Sequence, residues 1–299
     1  MTIIFFGSDP WFSQPVLTAL LKAGNEVAVV VTKGDAIRKS SIANRQSKNE
    51  IIIIQANTQE DISLSRLTSN ELRLTDRPDA IVLAAFGPPF LPNEVLNWPK
   101  YGCLNVHASL LPRWRGASPV FGAIANGDNE TGVSIMKMTE EIDLGPVLGQ
   151  EKLEVSGNRE SLTRGLGILG GKLIVKTLEN IKNGQISEVR QPQKSPTPYT
   201  HRLTKNSGRI DWSKSPIEIE RFIRAVTPWP GAFTNGRWMM DDGRWHEIKN
   251  IKNLKAHLEN SLASTINHQP LTIDLVQLPG KNPVTWKQFL AGHPNAEFI

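Results

Sequence analysis

Five short apolar runs, separated by turns and helix-spaced stretches, constrain this chain more than any other feature. They are Ile3–Phe6, Val27–Val31, Ile51–Ile54, Ala80–Ala84 and Cys103–Val106, the last interrupted by Asn105. Runs this short are poor helices. They also lack the polar alternation of a sheet with one wet face, so they read as strands buried on both sides, as in a parallel sheet. Parallel strands need crossover connections, usually helical. The segment after the first run fits: Ser13-Gln14-Pro15 opens a helix, with Pro in the first turn, where no hydrogen bond is lost. Val16, Leu17, Leu20 and Leu21 share one face, and Gly24 ends it. Further helices are expected near Asp61–Leu74 and Ser118–Ala125, and over Ser161–Asn183 despite several glycines in its first half.

The alternation predicts an α/β catalytic domain over residues 1–190, Rossmann-like with a mostly parallel sheet. Residues 184–200 hold Pro192, Pro196 and Pro198 among polar residues and read as a linker. Beyond it Ser215–Val226 looks helical, and β-like runs such as Leu271–Val276 lie between Gly, Asn and Pro. A smaller β-rich domain over 205–299 is expected, OB-like and shortened, because several strands of a full barrel are not evident. Residues 201–299 carry 13 of the chain's 34 Lys and Arg against 9 of its 29 Asp and Glu, so most of the net charge of +5 lies there. The excess suits a polyanionic partner, and suits equally a basic excess spread over a solvated surface.

Other features narrow the class. Cys103 is the only cysteine, which excludes an intramolecular disulfide and a Cys-rich zinc site and favours a cytoplasmic protein. No apolar run approaches the roughly 20 residues that span a bilayer, so no membrane partner is expected. The histidines have no metal-binding spacing, and no metal is expected. Gly7-Ser8-Asp9-Pro10 is not a dinucleotide fingerprint, no Walker loop is present, and Ser109 lacks the G-x-S-x-G elbow. Residues 33–50, with Lys33, Arg38, Lys39, Arg45 and Lys48, read as a long exposed loop.

The densest polar cluster lies where the fifth strand ends. Side chains alternate along a strand, so Asn105 and His107 face one side while Leu104 and Val106 face the other. Ligands of open α/β sheets bind beyond such strand ends. The same pattern also fits an Asn and a His that only satisfy backbone groups in a turn. Asp143, after the alternating segment Thr131–Met138, sits before Leu144-Gly145-Pro146, where an Asp is commonly a turn residue.

The string Asn105-Val-His107-Ala-Ser109-Leu-Leu-Pro112-Arg-Trp-Arg115-Gly-Ala-Ser-Pro119 resembles the signature of the folate-dependent formyltransferase family. It continues through Gly127-Asp128, Thr131-Gly132-Val133 and Asp143-Leu-Gly145, in that family's order. Phe6-Gly7 and Phe86-Gly87 resemble its earlier strand ends. Leu203–Trp212 and Ile223–Ala232 resemble the linker and second-domain start of its tRNA-acting members. The resemblance implies catalysis by Asn105, His107 and Asp143, with Ser109, Leu110, Leu111, Pro112, Phe86 and Gly87 lining a pocket for reduced folate. It implies 10-formyltetrahydrofolate as formyl donor and methionyl initiator tRNA as acceptor, in translation initiation, by a monomer. Formyl transfer is acyl transfer: an amine attacks the formyl carbon and an oxyanion develops. The Asn105 amide and the His107 imidazole would donate to that oxygen, and Asp143 would support the imidazole or accept a proton. No protein nucleophile is required. The loop Thr32-Lys33-Gly34-Asp35-Ala-Ile-Arg38-Lys39 keeps the positive charge of the tRNA-acting members but not their Gly-Arg-Gly-Lys stretch. Two alternatives follow: a formyltransferase for an amino sugar-nucleotide, and a tRNA-binding relative that has lost catalysis.

Overall fold

The computed structural model describes residues 1–33, 51–68, 77–88, 90–239, 245–258, 271–293 and 295–298. Of the loop expected over 33–50 only Lys33 is among them, and the end of the helix expected over Asp61–Leu74 also lies outside. The chain divides into two compact units. One comprises Met1–Pro119, Glu130–Glu154 and Leu162–Thr200; the other comprises Val120–Asn129, Val155–Ser161 and His201–Ile299.

The first unit is built on the five apolar runs, which form β1 (Thr2–Gly7), β2 (Glu26–Thr32), β3 (Ile52–Gln55), β4 (Ala80–Ala84) and β5 (Cys103–His107). With β6 (Glu130–Lys137) and β7 (Val147–Glu154) they make a sheet of order β3-β2-β1-β4-β5-β6-β7. The first five pair in parallel, whereas β6 and β7 are antiparallel to their neighbours. This is the Rossmann-like sheet expected. Strand order reverses between β1 and β4, which opens a crevice at their carboxyl ends. Two serines clip those ends together: the Ser13 hydroxyl donates to the Ala84 carbonyl, and the Ser8 hydroxyl to the Ala85 and Phe86 carbonyls.

Helix α1 (Ser13–Lys22) buries Val16, Leu17, Leu20 and Leu21, the face read from their spacing. The part of Asp61–Leu74 that is described is a 3-10 turn, Glu60–Ile62, and a four-residue helix α2 (Leu64–Leu67). Two further short helices follow, α3 (Asn93–Leu96) and α4 (Pro119–Ala125). The long helix α5 (Arg159–Lys182) explains its own glycines. A Cβ on Gly167 would lie 2.8 Å from the Trp11 carbonyl, one on Gly170 2.7 Å from Val106 Cγ1, and one on Gly171 2.8 Å from Ala19 Cβ. Glycine is there to let the helix touch α1 and β5 closely, at a propensity cost of about 1 kcal/mol per site.

The second unit is the smaller β-rich, OB-like domain. Helix α6 (Pro216–Val226) starts at a capping box between Ser215 and Glu218 and buries Ile219, Ile223 and Val226. The strands β8 (Ala232–Met239), β9 (Trp245–Leu258), β10 (Leu271–Gln277), β11 (Val284–Thr285) and β12 (Glu297–Phe298) form an antiparallel sheet of order β11-β10-β9-β8-β12. Ile251, Ile273 and Val276 join the face of α6 in one core. Helix α7 (Trp286–Gly292), capped by Thr285, brings Trp286 within 5.0 Å of Phe289 and 4.9 Å of Phe298, ring centre to ring centre. Of these strands sequence reading picked out β10 and did not see β8, β9, β11 or β12.

Candidate active site

The parallel arrangement carries Asn105 and His107 to the carboxyl end of β5, two residues apart and on one face. His107 is buried and Asn105 half-buried. The Asn105 side-chain amide makes no hydrogen bond with any described residue. Both ring nitrogens of His107 face oxygens. Nε2 lies 3.3 Å from the Trp114 carbonyl, and Nδ1 lies 3.6 Å from Asp143 Oδ1. The second distance is longer than a formed hydrogen bond. The first is at the long end of the range, and a stronger acceptor could displace it.

Asp143 is buried, with its backbone in the left-handed region at φ 55°. Asp is one of the few residues that tolerate that conformation. Its Oδ2 accepts a 2.7 Å hydrogen bond from the backbone N–H of Gly116, which frees Oδ1 to face the imidazole. The carboxylate is thus held by the same loop whose Trp114 carbonyl holds the other side of the ring.

That loop, residues 108–117, is fastened from two directions. From the sheet, the Ser134 hydroxyl donates to the Ser109 carbonyl and accepts from the Leu111 N–H, and Gln150 Nε2 donates to both Ser134 Oγ and the Leu111 carbonyl. From the segment read as a linker, Ser195 donates to the Pro112 carbonyl, Thr197 Oγ1 accepts from the Trp114 N–H, and the Thr200 N–H donates to the Arg115 carbonyl. Residues 191–200 therefore bind the first unit instead of crossing solvent. Ser109 is buried, with its hydroxyl on the Arg113 carbonyl; Leu111 is buried and Leu110 and Pro112 are half-buried. At the end of β4, the Phe86 ring packs edge-on to Phe6 at 5.2 Å inside the core, with the Lys33 ammonium 4.5 Å from its centre. Gly87 follows at φ 69°.

Sequence reading named Asn105, His107 and Asp143 but missed the residues that arrange them. Gly116 and Arg115 stood inside the family signature without an assigned role. Ser134 and Gln150 stood on strands, and Gln191 in a polar, proline-bearing stretch with no local signal. Among the described residues there is no group of three or more His, Cys, Asp or Glu that could hold a metal. No helix among them is long and apolar enough to cross a membrane.

An open α/β sheet with an amide and a carboxylate-backed imidazole beyond β5 defines a class suited to polar group transfer without a protein nucleophile. Comparison with known proteins is specific. Residues 1–175 match the family described as formyl transferase, and 202–294 match its C-terminal domain. The methionyl-tRNA formyltransferase of Gluconobacter oxydans is 38% identical over 317 aligned residues, covering 98% of this chain and 97% of that protein. The chain belongs to the formyl transferase family, among the methionyl-tRNA formyltransferases. Among solved structures, methionyl-tRNA formyltransferase from Clostridium thermocellum shares the fold with a TM-score of 0.57 at 16% identity, over 93% of this chain and 98% of that one. HypX from Aquifex aeolicus in complex with tetrahydrofolic acid does so with a TM-score of 0.59 at 17% identity, over 96% of this chain and 46% of that one.

Proposed function

We propose that the chain transfers the formyl group of 10-formyltetrahydrofolate to the amino group of methionyl initiator tRNA, with Asn105, His107 and Asp143 as its catalytic residues. The observation that carries this reading is the geometry beyond β5: a free amide on Asn105 beside an imidazole whose Nδ1 faces the Gly116-anchored Asp143 carboxylate. In the reaction the methionyl nitrogen forms a bond to the formyl carbon and the carbonyl becomes an oxyanion. The folate N10–formyl bond then breaks, the amine loses a proton and N10 gains one. The Asn105 N–H is aimed at no described group and is available to the oxyanion. The His107 Nε2 hydrogen would turn from the neutral Trp114 carbonyl to the charged oxygen, because charge-assisted hydrogen bonds are roughly twice as strong. Asp143 holds the ring from its other side. The loss of one such donor typically costs about 3–4 kcal/mol of barrier.

Folate would lie against residues 109–112 and 86–87, where a flat pterin meets buried apolar side chains and backbone polar groups. The basic C-terminal unit would engage tRNA phosphates, so its affinity should fall steeply with salt. A cytoplasmic setting accords with a lone cysteine kept as a buried free thiol.

The test is direct. The protein is incubated with 10-formyltetrahydrofolate and, in separate reactions, methionyl initiator tRNA or an amino sugar-nucleotide. Formylation of the tRNA is expected. Formylation of the sugar-nucleotide alone would replace the acceptor, and formylation of neither would remove the reading.

A further inference from the structure

Among the described residues Arg115 has the largest fully buried side chain, and no carboxylate among them pairs with it. An unpaired buried cation is expensive, so whatever replaces the carboxylate has a role to explain. The replacement comes from the segment after α5. Arg115 Nε and Nη2 donate to Gln191 Oε1 at 3.2 and 3.0 Å, Nη2 also to the Pro192 carbonyl at 2.7 Å, and Nη1 to the Gln193 carbonyl at 3.0 Å. The Tyr199 ring lies 6.0 Å from the guanidinium carbon.

Gln191 faces the other way with its nitrogen. Nε2 donates to the Asp143 carbonyl at 3.0 Å and to the Gly145 carbonyl at 2.7 Å. The side chain of this single glutamine therefore uses both donors and both acceptor positions at once. The amide cannot be turned over, because that would set its oxygen against two carbonyls and its NH2 against a guanidinium. Its orientation is fixed by its neighbours, and it fixes in turn the backbone on both sides of Leu144, where Asp143 holds a left-handed conformation.

We propose that Gln191 is the positioning residue for Asp143: it ties the loop that carries the carboxylate to the buried Arg115 and so sets where Asp143 stands relative to His107. The proposal rests on the catalytic reading of Asp143 given above. Arg115 precedes Gly116, whose N–H holds Asp143 Oδ2. Asp143 is thus gripped twice from one anchor, at its side chain through Gly116 and at its backbone through Gln191. A ring whose Nδ1 is 3.6 Å from the carboxylate has no direct hydrogen bond to correct a shift of that loop.

The discriminating substitution is Gln191→Glu. The new carboxylate still accepts from Arg115, now as an ion pair, so the anchor is kept. Its oxygens meet the Asp143 and Gly145 carbonyls as acceptor against acceptor, so the positioning is lost. Turnover in formylation of methionyl initiator tRNA should fall about 100-fold, the usual effect of misplacing a catalytic group by about 1 Å. The KM for 10-formyltetrahydrofolate should stay near that of the unaltered protein. In an Asp143→Asn background the same substitution should lower turnover by less than about threefold, because residues acting through one another are not additive. Unchanged turnover in Gln191→Glu overturns the proposal. So does an equal loss in both backgrounds, which would place the effect elsewhere. Full turnover in Asp143→Asn alone marks a different failure: it removes the catalytic reading of Asp143, and this proposal with it.

Discussion

Gly116 offers a severe test of how fold and site are joined, because one added methyl group has a calculable effect on both. Its φ is +103°, and a Cβ built there would stand 2.2 Å from the Thr200 carbonyl oxygen and 3.0 Å from the Thr200 nitrogen. Those are backbone atoms, held by the Ala117 N–H on the Thr200 carbonyl at 2.9 Å and the Thr200 N–H on the Arg115 carbonyl at 2.7 Å. They cannot rotate aside as a side chain would. Gly116→Ala should therefore lose about 1–2 kcal/mol from the left-handed backbone and about 1–3 kcal/mol from forced displacement of Thr200. At about 2–4 °C per kcal/mol for a domain of this size, the melting temperature should drop by about 4–20 °C. Gly24→Ala is the control. Its φ is +75°, but nothing lies within 4 Å of the added Cβ, so only the backbone penalty applies. Thermal unfolding of the two variants then isolates the steric contribution. Formylation measured well below both midpoints isolates the catalytic one. Gly116→Ala should lower turnover, since the moved N–H is the Asp143 donor, while Gly24→Ala should not. A Gly116→Ala protein that melts no lower than Gly24→Ala and turns over normally would refute the reasoning.

Three further outcomes are expected. Asn105→Ala, His107→Ala and Asp143→Asn should each lower turnover by about a hundredfold or more while the fold persists, as read by circular dichroism; Asn is chosen at 143 because it also tolerates the left-handed backbone. Three folded variants with near-normal rates would end the site assignment. Burial pushes the Cys103 thiol up to about 12, so it should resist alkylation at pH 8 in the native protein and react only on unfolding; prompt native labelling would contradict that burial. Hydrogen bonds from the Ser215 hydroxyl and N–H hold the Glu218 carboxyl below its ordinary 4.5. Because the folded value is the lower one, this support of α6 is complete above about pH 4.5 and is lost as pH falls through the depressed folded value. Glu218→Gln should remove that acid dependence from hydrogen exchange in the first turn of α6, and an exchange profile unchanged by the substitution would count against the capping box.

The central strands were legible because a strand buried on both faces must be apolar throughout, and β1 to β5 nearly are. Strand β7 was not, since it lies at the sheet edge with Gln150, Glu151 and Lys152 exposed or half-exposed, as edge strands often are. Strand β9 was hidden for a related reason: Lys249, Lys252 and Lys255 face solvent, so the run reads as polar chain. The four-residue α3 has too few turns to show any periodicity. The linker reading rested on prolines and polar residues, which mark irregular backbone but do not say what that backbone touches.

The sequence by itself determined the five parallel strands, because each is a short and nearly unbroken apolar run, and it determined the helix that flanks the first strand and the shared face of Asn105 and His107, because these follow from repeats of 3.6 and 2 residues along the chain. It also carried the family, through a signature read as a string. Only the tertiary structure decided which partners complete the site. Asp143 meets His107 from the loop between β6 and β7, Gly116 reaches its carboxylate because the 108–117 loop is pinned by Ser134 and Thr200, and Gln191 joins them from beyond α5. Those contacts link residues far apart in the chain, and hydrogen bonds of that kind leave no period for a sequence to display.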